Sequence, residues 1–209
     1  MPLLRSLLFL AFTSLALALT PTERVATLID PVKLSTLAQR GGNPRVQKYV
    51  AQLEEARVAG WDAARVAAEA VALTGMRGEA ARLTVAAMLR NLSIAERLGC
   101  LTPEGLHDMR RGQSPTITRG PYAGDQLSVD HVIPFSVAPA LDKVIANLEL
   151  MPLRLNIGSR AAAVAARQIM RMHDPKGDMS VRREGVNMDT MGERQRDLLQ
   201  KLRAAGLAH

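Results

Sequence analysis

The chain has 209 residues, of which 47% are hydrophobic and 22% charged, so it can bury a core and is not a disordered tail. Aromatics are scarce (three Phe, two Tyr, one Trp), which favours helices packed through Leu, Val, Ala and Met over a β-sandwich or barrel. The single cysteine, Cys100, excludes an intrachain disulfide framework and a cysteine-rich zinc knuckle, and a formal charge of +7 is compatible with a polyanionic partner.

The first residues, MPLLRSLLFLAFTSLALALT, place one Arg5 ahead of an apolar run from Leu7 to Leu19. That run is shorter than the roughly 20 residues a membrane span needs. Ala16-Leu17-Ala18 has the small-x-small form of a signal-peptidase site, so residues 1–18 read as a cleaved secretory signal; an uncleaved anchor is the alternative. The expected location is secreted or periplasmic in a bacterium, with no stable membrane association after cleavage.

Residues 19–112 read as a helical region. Thr20-Pro21-Thr22-Glu23 is a capping box with Pro at the first helical position. Asp30-Pro31 starts a second helix, expected to run to Gly41-Gly42. Asn43-Pro44 starts a third, in which Val46, Tyr49, Val50 and Leu53 recur at helical spacing as far as Gly60. Asp62 caps a fourth helix, Glu79 to Leu98 forms a fifth, and Thr102-Pro103 opens a sixth that stops at Gly112. Trp61 and Cys100 are expected in the core.

The texture changes after residue 112. Extended runs at Gln126–Ile133 and Leu148–Met151 flank a loop of about a dozen residues. Pro152 then opens a long helix, expected to reach Met172. A polar connector and a last helix, Thr190–Ala205, follow; it carries Met191, Gln195, Leu198, Leu199 and Leu202 on one side. The order strand, loop, strand, helix gives an α+β, mostly helical fold. Its parts are a helical N-terminal layer, a core at 113–175, and a C-terminal connector and helix (176–209) packing on that core.

Four polar residues sit at marked places in this segment. Asp130 and His131 end the first strand, Asn147 precedes the second, and Asn156 lies in the first turn of the helix, at spacings of 16 and 9. VDHVIP (129–134), NLEL (147–150) and LNIGSR (155–160) together resemble the HNH, or ββα-metal, nuclease superfamily, in the variant that ends on Asn rather than His. The resemblance spans roughly residues 115–172. It implies that His131 is the general base, that Asp130 and Asn156 hold one Mg²⁺ or Mn²⁺ ion, and that Asn147 pins the loop. It further implies that a loop carbonyl accepts the Nδ1 proton of His131, and that products carry 5′-phosphate and 3′-hydroxyl ends.

The chemistry of the residues agrees with that assignment. Phosphodiester cleavage by water builds negative charge on the leaving oxygen, which a hard cation on oxygen ligands offsets. Asp130 supplies a carboxylate, Asn156 an amide oxygen, and an imidazole of ordinary pKa near 6.5 can take a proton at neutral pH. Consecutive strand residues point to opposite faces, so presenting both Asp130 and His131 requires a twist at the strand end.

A basic stripe extends from this site. On a continuous helix Asn156, Arg160, Arg167 and Arg171 fall within about 60° of one another and span about 22 Å. Arg160 is the candidate for contacting the scissile phosphate, with Arg154, Arg167 and Arg171 along the nucleic acid. The preceding loop offers Arg119 and Tyr122 to grip or stack on it. The expected function is an exported, metal-dependent HNH endonuclease acting on nucleic acid, with DNA the expected substrate. The alternative is a non-catalytic nucleic-acid or polyanion binding protein with a degenerate HNH fold.

Overall fold

The computed structural model describes residues 19–156 and 192–208. The predicted signal segment 1–18 lies outside the described residues, as do residues 157–191, which include Arg160, Arg167, Arg171 and most of the predicted long helix. What is described is α+β and mostly helical, with one two-stranded antiparallel sheet.

Helices α1 (Pro21–Ile29), α2 (Pro31–Ser35), α3 (Asn43–Val58), α4 (Ala63–Leu73), α5 (Gly78–Arg97) and α6 (Pro103–Arg110) come first. Four of their starts are fixed by side chains that accept from otherwise orphaned amides. Thr20 and Glu23 form a reciprocal capping box. Asp30 accepts from Val32 N at 2.9 Å, Asp62 from Ala64 N at 2.9 Å, and Thr102 from Gly105 N at 3.1 Å.

α2 is shorter than its sequence predicts and ends at Ser35. Lys143 Nζ donates to the carbonyls of Ser35 (3.0 Å) and Leu37, drawing them away from a further helical turn. The chain then bends through Arg40, whose φ of 59° is the one positive value among the described non-glycine residues.

Val46, Tyr49, Val50 and Leu53 of α3 are fully buried and pack with α1, α4 and α5. Cys100 is also fully buried, and burial pushes its thiol up to about 12, so it is inert rather than reactive. Trp61 departs from expectation. It stands in the α3–α4 turn, its amide bonded back to Ala56 O at 2.9 Å, and its side chain is 49% exposed rather than in the core.

β1 (Leu127–His131) and β2 (Leu148–Pro152) pair in the register Leu127↔Pro152 to His131↔Leu148. Pro152 ends the strand rather than starting the helix, and α7 begins one residue later (Leu153–Asn156). A pair of strands alone is marginal in water. Here one face, with Leu127, Val129, Leu148 and Leu150, enters the same core as the helices.

Side-chain amides finish both edges of this sheet. On the β1 edge, Gln47 of α3 donates to Leu127 O at 2.8 Å and Asn43 to Val129 O at 3.4 Å. On the β2 edge, Asn91 of α5 accepts from Leu150 N (2.9 Å) and donates to Leu148 O (3.0 Å), the bonding pattern of a neighbouring strand. Its second amide proton goes to Tyr49 Oη at 2.7 Å. Replacing Asn91 with alanine is expected to cost about 3 kcal/mol, because two strand groups lose their partner out of reach of solvent. An unchanged urea midpoint would rule that out.

The last described helix, α8 (Glu193–Ala204), packs Leu199 and Leu202 against Ile133, Leu141 and Ala146 of the β1–β2 loop. The loop is therefore held between the helical layer on one side and the C-terminal helix on the other.

Candidate active site

The loop from Val132 to Asn147 is built around Asn147, which is fully buried. Its Oδ1 accepts from Ile133 N at 2.7 Å, and Nδ2 donates to Ile133 O (3.1 Å) and Leu141 O (3.2 Å). One side chain thus ties the loop's first residues to its middle. Gln195 of α8 adds a bond from outside, donating to Val132 O at 2.7 Å while accepting from Gly192 N at its own helix start.

His131 ends β1 and is buried, with its side chain 5% exposed. Its Nε2 lies 3.0 Å from the carbonyl oxygen of Asp142 and 3.1 Å from the Asp142 carboxylate. The resemblance implied Nδ1 at a loop carbonyl; the nitrogen found there is Nε2. Because the carbonyl can only accept, Nε2 is the protonated nitrogen of the neutral ring, and the basic lone pair is on Nδ1.

Asp130 stands directly across the ladder from Glu149, and Oδ1 accepts from His131 N at 2.7 Å. Regular pairing through His131 sends Asp130 to the face that carries Ser128, Glu149 and Met151, and His131 to the face that carries Val129 and Leu148. No bulge twists the two side chains onto one face. At the end of the strand the Asp130 carboxylate curls back to the His131 backbone amide, while the His131 ring stays on the other face.

α7 brings Asn156 back over β1. Asn156 Nδ2 donates to Val129 O (3.3 Å) and to Ser128 Oγ (3.1 Å), whose own proton goes to Met151 O. A carbonyl cannot donate, so the nitrogen end of the amide must face β1, and Asn156 offers its oxygen at the other end. Asp130 and Asn156 therefore share one face of β1. One carboxylate and one amide oxygen, completed by water, are a donor set suited to Mg²⁺ or Mn²⁺ and poor in the nitrogen or sulfur that Zn²⁺ prefers. Among the described residues, no three His, Cys, Asp or Glu side chains converge on one point.

A charged cluster beside this site was not anticipated. Glu149 is fully buried, with Arg90 Nε of α5 2.7 Å from Oε1 and Arg194 of α8 bonding both carboxylate oxygens. The pairing keeps a second carboxylate tolerable directly opposite Asp130. Leu148-Glu149-Leu150 alternates like a half-exposed strand, and only the long-range approach of two arginines explains why the middle residue is buried. Asp142 was likewise missed, since an Asp before a Lys in a loop has nothing in sequence to mark it.

The predicted nucleic-acid contacts are dispersed. Arg119 is exposed, but it lies in the loop before β1, docked through Thr118 and its own amide on Leu98 at the end of α5. Gly99 there has φ +69°, and a Cβ would sit 2.2 Å from Thr118 Oγ1, so that docking needs glycine. Arg119 is thus near the opposite end of β1 from Asp130 and His131. Arg154 is mostly exposed, with its amide bonded to Asp125 Oδ2 at 3.0 Å and Nε 3.9 Å from Oδ1. Tyr122 is 4% exposed and packs in the core, where burial raises its phenol pKa, so it is not a stacking platform. Arg160, Arg167 and Arg171 fall outside the described residues.

No protein-family model, curated protein or solved structure matches the chain. No helix among the described residues is long and apolar enough to cross a membrane.

Proposed function

We propose that this chain is an exported, metal-dependent endonuclease of HNH type that hydrolyses phosphodiester bonds, with DNA as substrate. One observation carries the reading. The Asn156 amide, returned by α7, meets the middle of β1 on the face that carries Asp130, and a pinned loop holds the ring of the next residue, His131, at the end of the strand.

Asp130 and the Asn156 oxygen would hold one Mg²⁺ or Mn²⁺ ion. Such an ion supplies positive charge where the leaving 3′ oxygen becomes negative. His131 takes the proton of the attacking water through Nδ1, while Nε2 stays anchored on Asp142. Asn147 acts at one remove, by fixing the loop that carries Asp142. Arg154, with Arg160, Arg167 and Arg171 beyond the described residues, provides salt-sensitive contact to the phosphate backbone. The apolar N-terminal segment would deliver this activity to the periplasm or the medium.

The test is incubation of the purified chain with supercoiled plasmid, single-stranded DNA and RNA across a metal panel. Nicking is expected with Mg²⁺ or Mn²⁺, to vanish in excess EDTA, and to return when Mg²⁺ is restored. A shift of DNA in a gel with every substrate left intact would instead identify a non-catalytic binding protein.

A further inference from the structure

The carboxylate of Asp142 lies outside the pattern of Asp130, His131, Asn147 and Asn156 that the strand, loop and helix present. It is 3% exposed, and a buried carboxylate must be met by donors. Arg40 N donates to Oδ2 at 2.9 Å. Oδ1 accepts no hydrogen bond of ordinary geometry among the described residues and faces His131 Nε2 at 3.1 Å, while the Asp142 backbone oxygen reaches the same nitrogen at 3.0 Å. Two oxygens of one residue thus converge on a single ring nitrogen.

That convergence fixes the imidazole in two ways. An unprotonated Nε2 would set its lone pair against two others, so both contacts favour the tautomer with the proton on Nε2. A carbonyl alone lets the ring pivot about one contact; a carboxylate beside it restricts the pivot. The carboxylate is itself braced from the helical layer. Arg40 can aim its amide at Oδ2 because its backbone takes a left-handed conformation that non-glycine residues rarely adopt. Lys143, the next residue after Asp142, is tied to the carbonyls of Ser35 and Leu37 on the same turn. Loop and turn are joined at three points, one on Asp142 and two on Lys143.

We propose that Asp142 is the positioning residue for His131, setting its tautomer and ring orientation, and that the α2–α3 turn braces Asp142. The catalytic consequence rests on the nuclease reading; the tautomer does not. The test is Asp142→Asn in the full chain, comparing ¹⁵N-histidine long-range correlation spectra and plasmid nicking with wild type. Arg40 N can only donate, so the asparagine oxygen is held there and its NH₂ is turned towards Nε2. Wild-type His131 is expected with Nε2 protonated. The variant is expected to gain the Nδ1-protonated form and to lose about 10- to 100-fold in kcat with KM unchanged.

Wild-type spectra and turnover in Asp142→Asn would overturn the proposal. If the wild type cleaves no substrate, the nuclease reading fails and the spectra alone decide: a changed tautomer supports the positioning contact, an unchanged one overturns it. If Asp142→Asn loses its helical circular dichroism, Asp142→Glu takes its place. With its charge kept and its reach altered, it is expected to retain the Nε2 proton but turn over more slowly, and full turnover there would also overturn the proposal.

Discussion

Replacing His131 with alanine is expected to lower plasmid nicking by about 10²- to 10⁴-fold, the contribution of a positioned general base. The ring is the group at the end of β1 whose Nδ1 lone pair can take a proton from water. The helical circular dichroism should survive, because His131 is the last residue of β1 and the polar contacts of its ring are to Asp142 in the β1–β2 loop. Some stability will be lost, since the Asp142 carboxylate no longer faces an imidazole. The measurement is nicking rate at saturating Mg²⁺, set beside a gel shift in which binding should persist. Undiminished nicking by a folded His131→Ala chain would remove the imidazole from the mechanism.

A comparable effect on stability is expected at Glu149, a residue with no role in the proposed chemistry. Glu149→Gln should cost about 3–5 kcal/mol, because it leaves Arg90 and Arg194 facing one another around a buried amide without the charge that compensates them. Loss of repulsion with Asp130 across the ladder offsets little of this. Urea unfolding followed by circular dichroism gives the difference directly. Replacing all three members together (Glu149→Leu, Arg90→Met, Arg194→Met) should recover much of it, since apolar substitutes of similar volume carry no desolvation cost. A triple variant no more stable than the single one would mean that the cluster acts through packing.

The parts of the fold that were legible in sequence are those that local chemistry decides. Thr20, Asp30, Asp62 and Thr102 cap helices within three residues of themselves, so their positions follow from spacing alone. The two strands were legible through their apolar runs, and the four polar residues of the candidate site through their order. What escaped depends on partners far apart in the chain. α2 stops early because Lys143 takes its carbonyls, more than a hundred residues on. Asn91 reads as one more polar residue on a helix until β2 is laid against it. Glu149 and Asp142 acquire meaning only when Arg90, Arg194 and Arg40 arrive. Trp61 shows the converse: size and apolarity suggest burial, but a tight turn can leave a large ring outside.

The completion of both sheet edges by helix amides bears on how this site could be moved or trimmed. A peptide cut to the β1, loop, β2 and α7 segment would lack Asn43, Gln47 and Asn91, and its backbone donors and acceptors would be open to any extended chain it met. Such a fragment would tend to self-associate rather than fold. Transplanting the chemistry to another scaffold therefore means carrying α3 and α5 with it, so the inheritable unit is the helical layer and the strands as a whole.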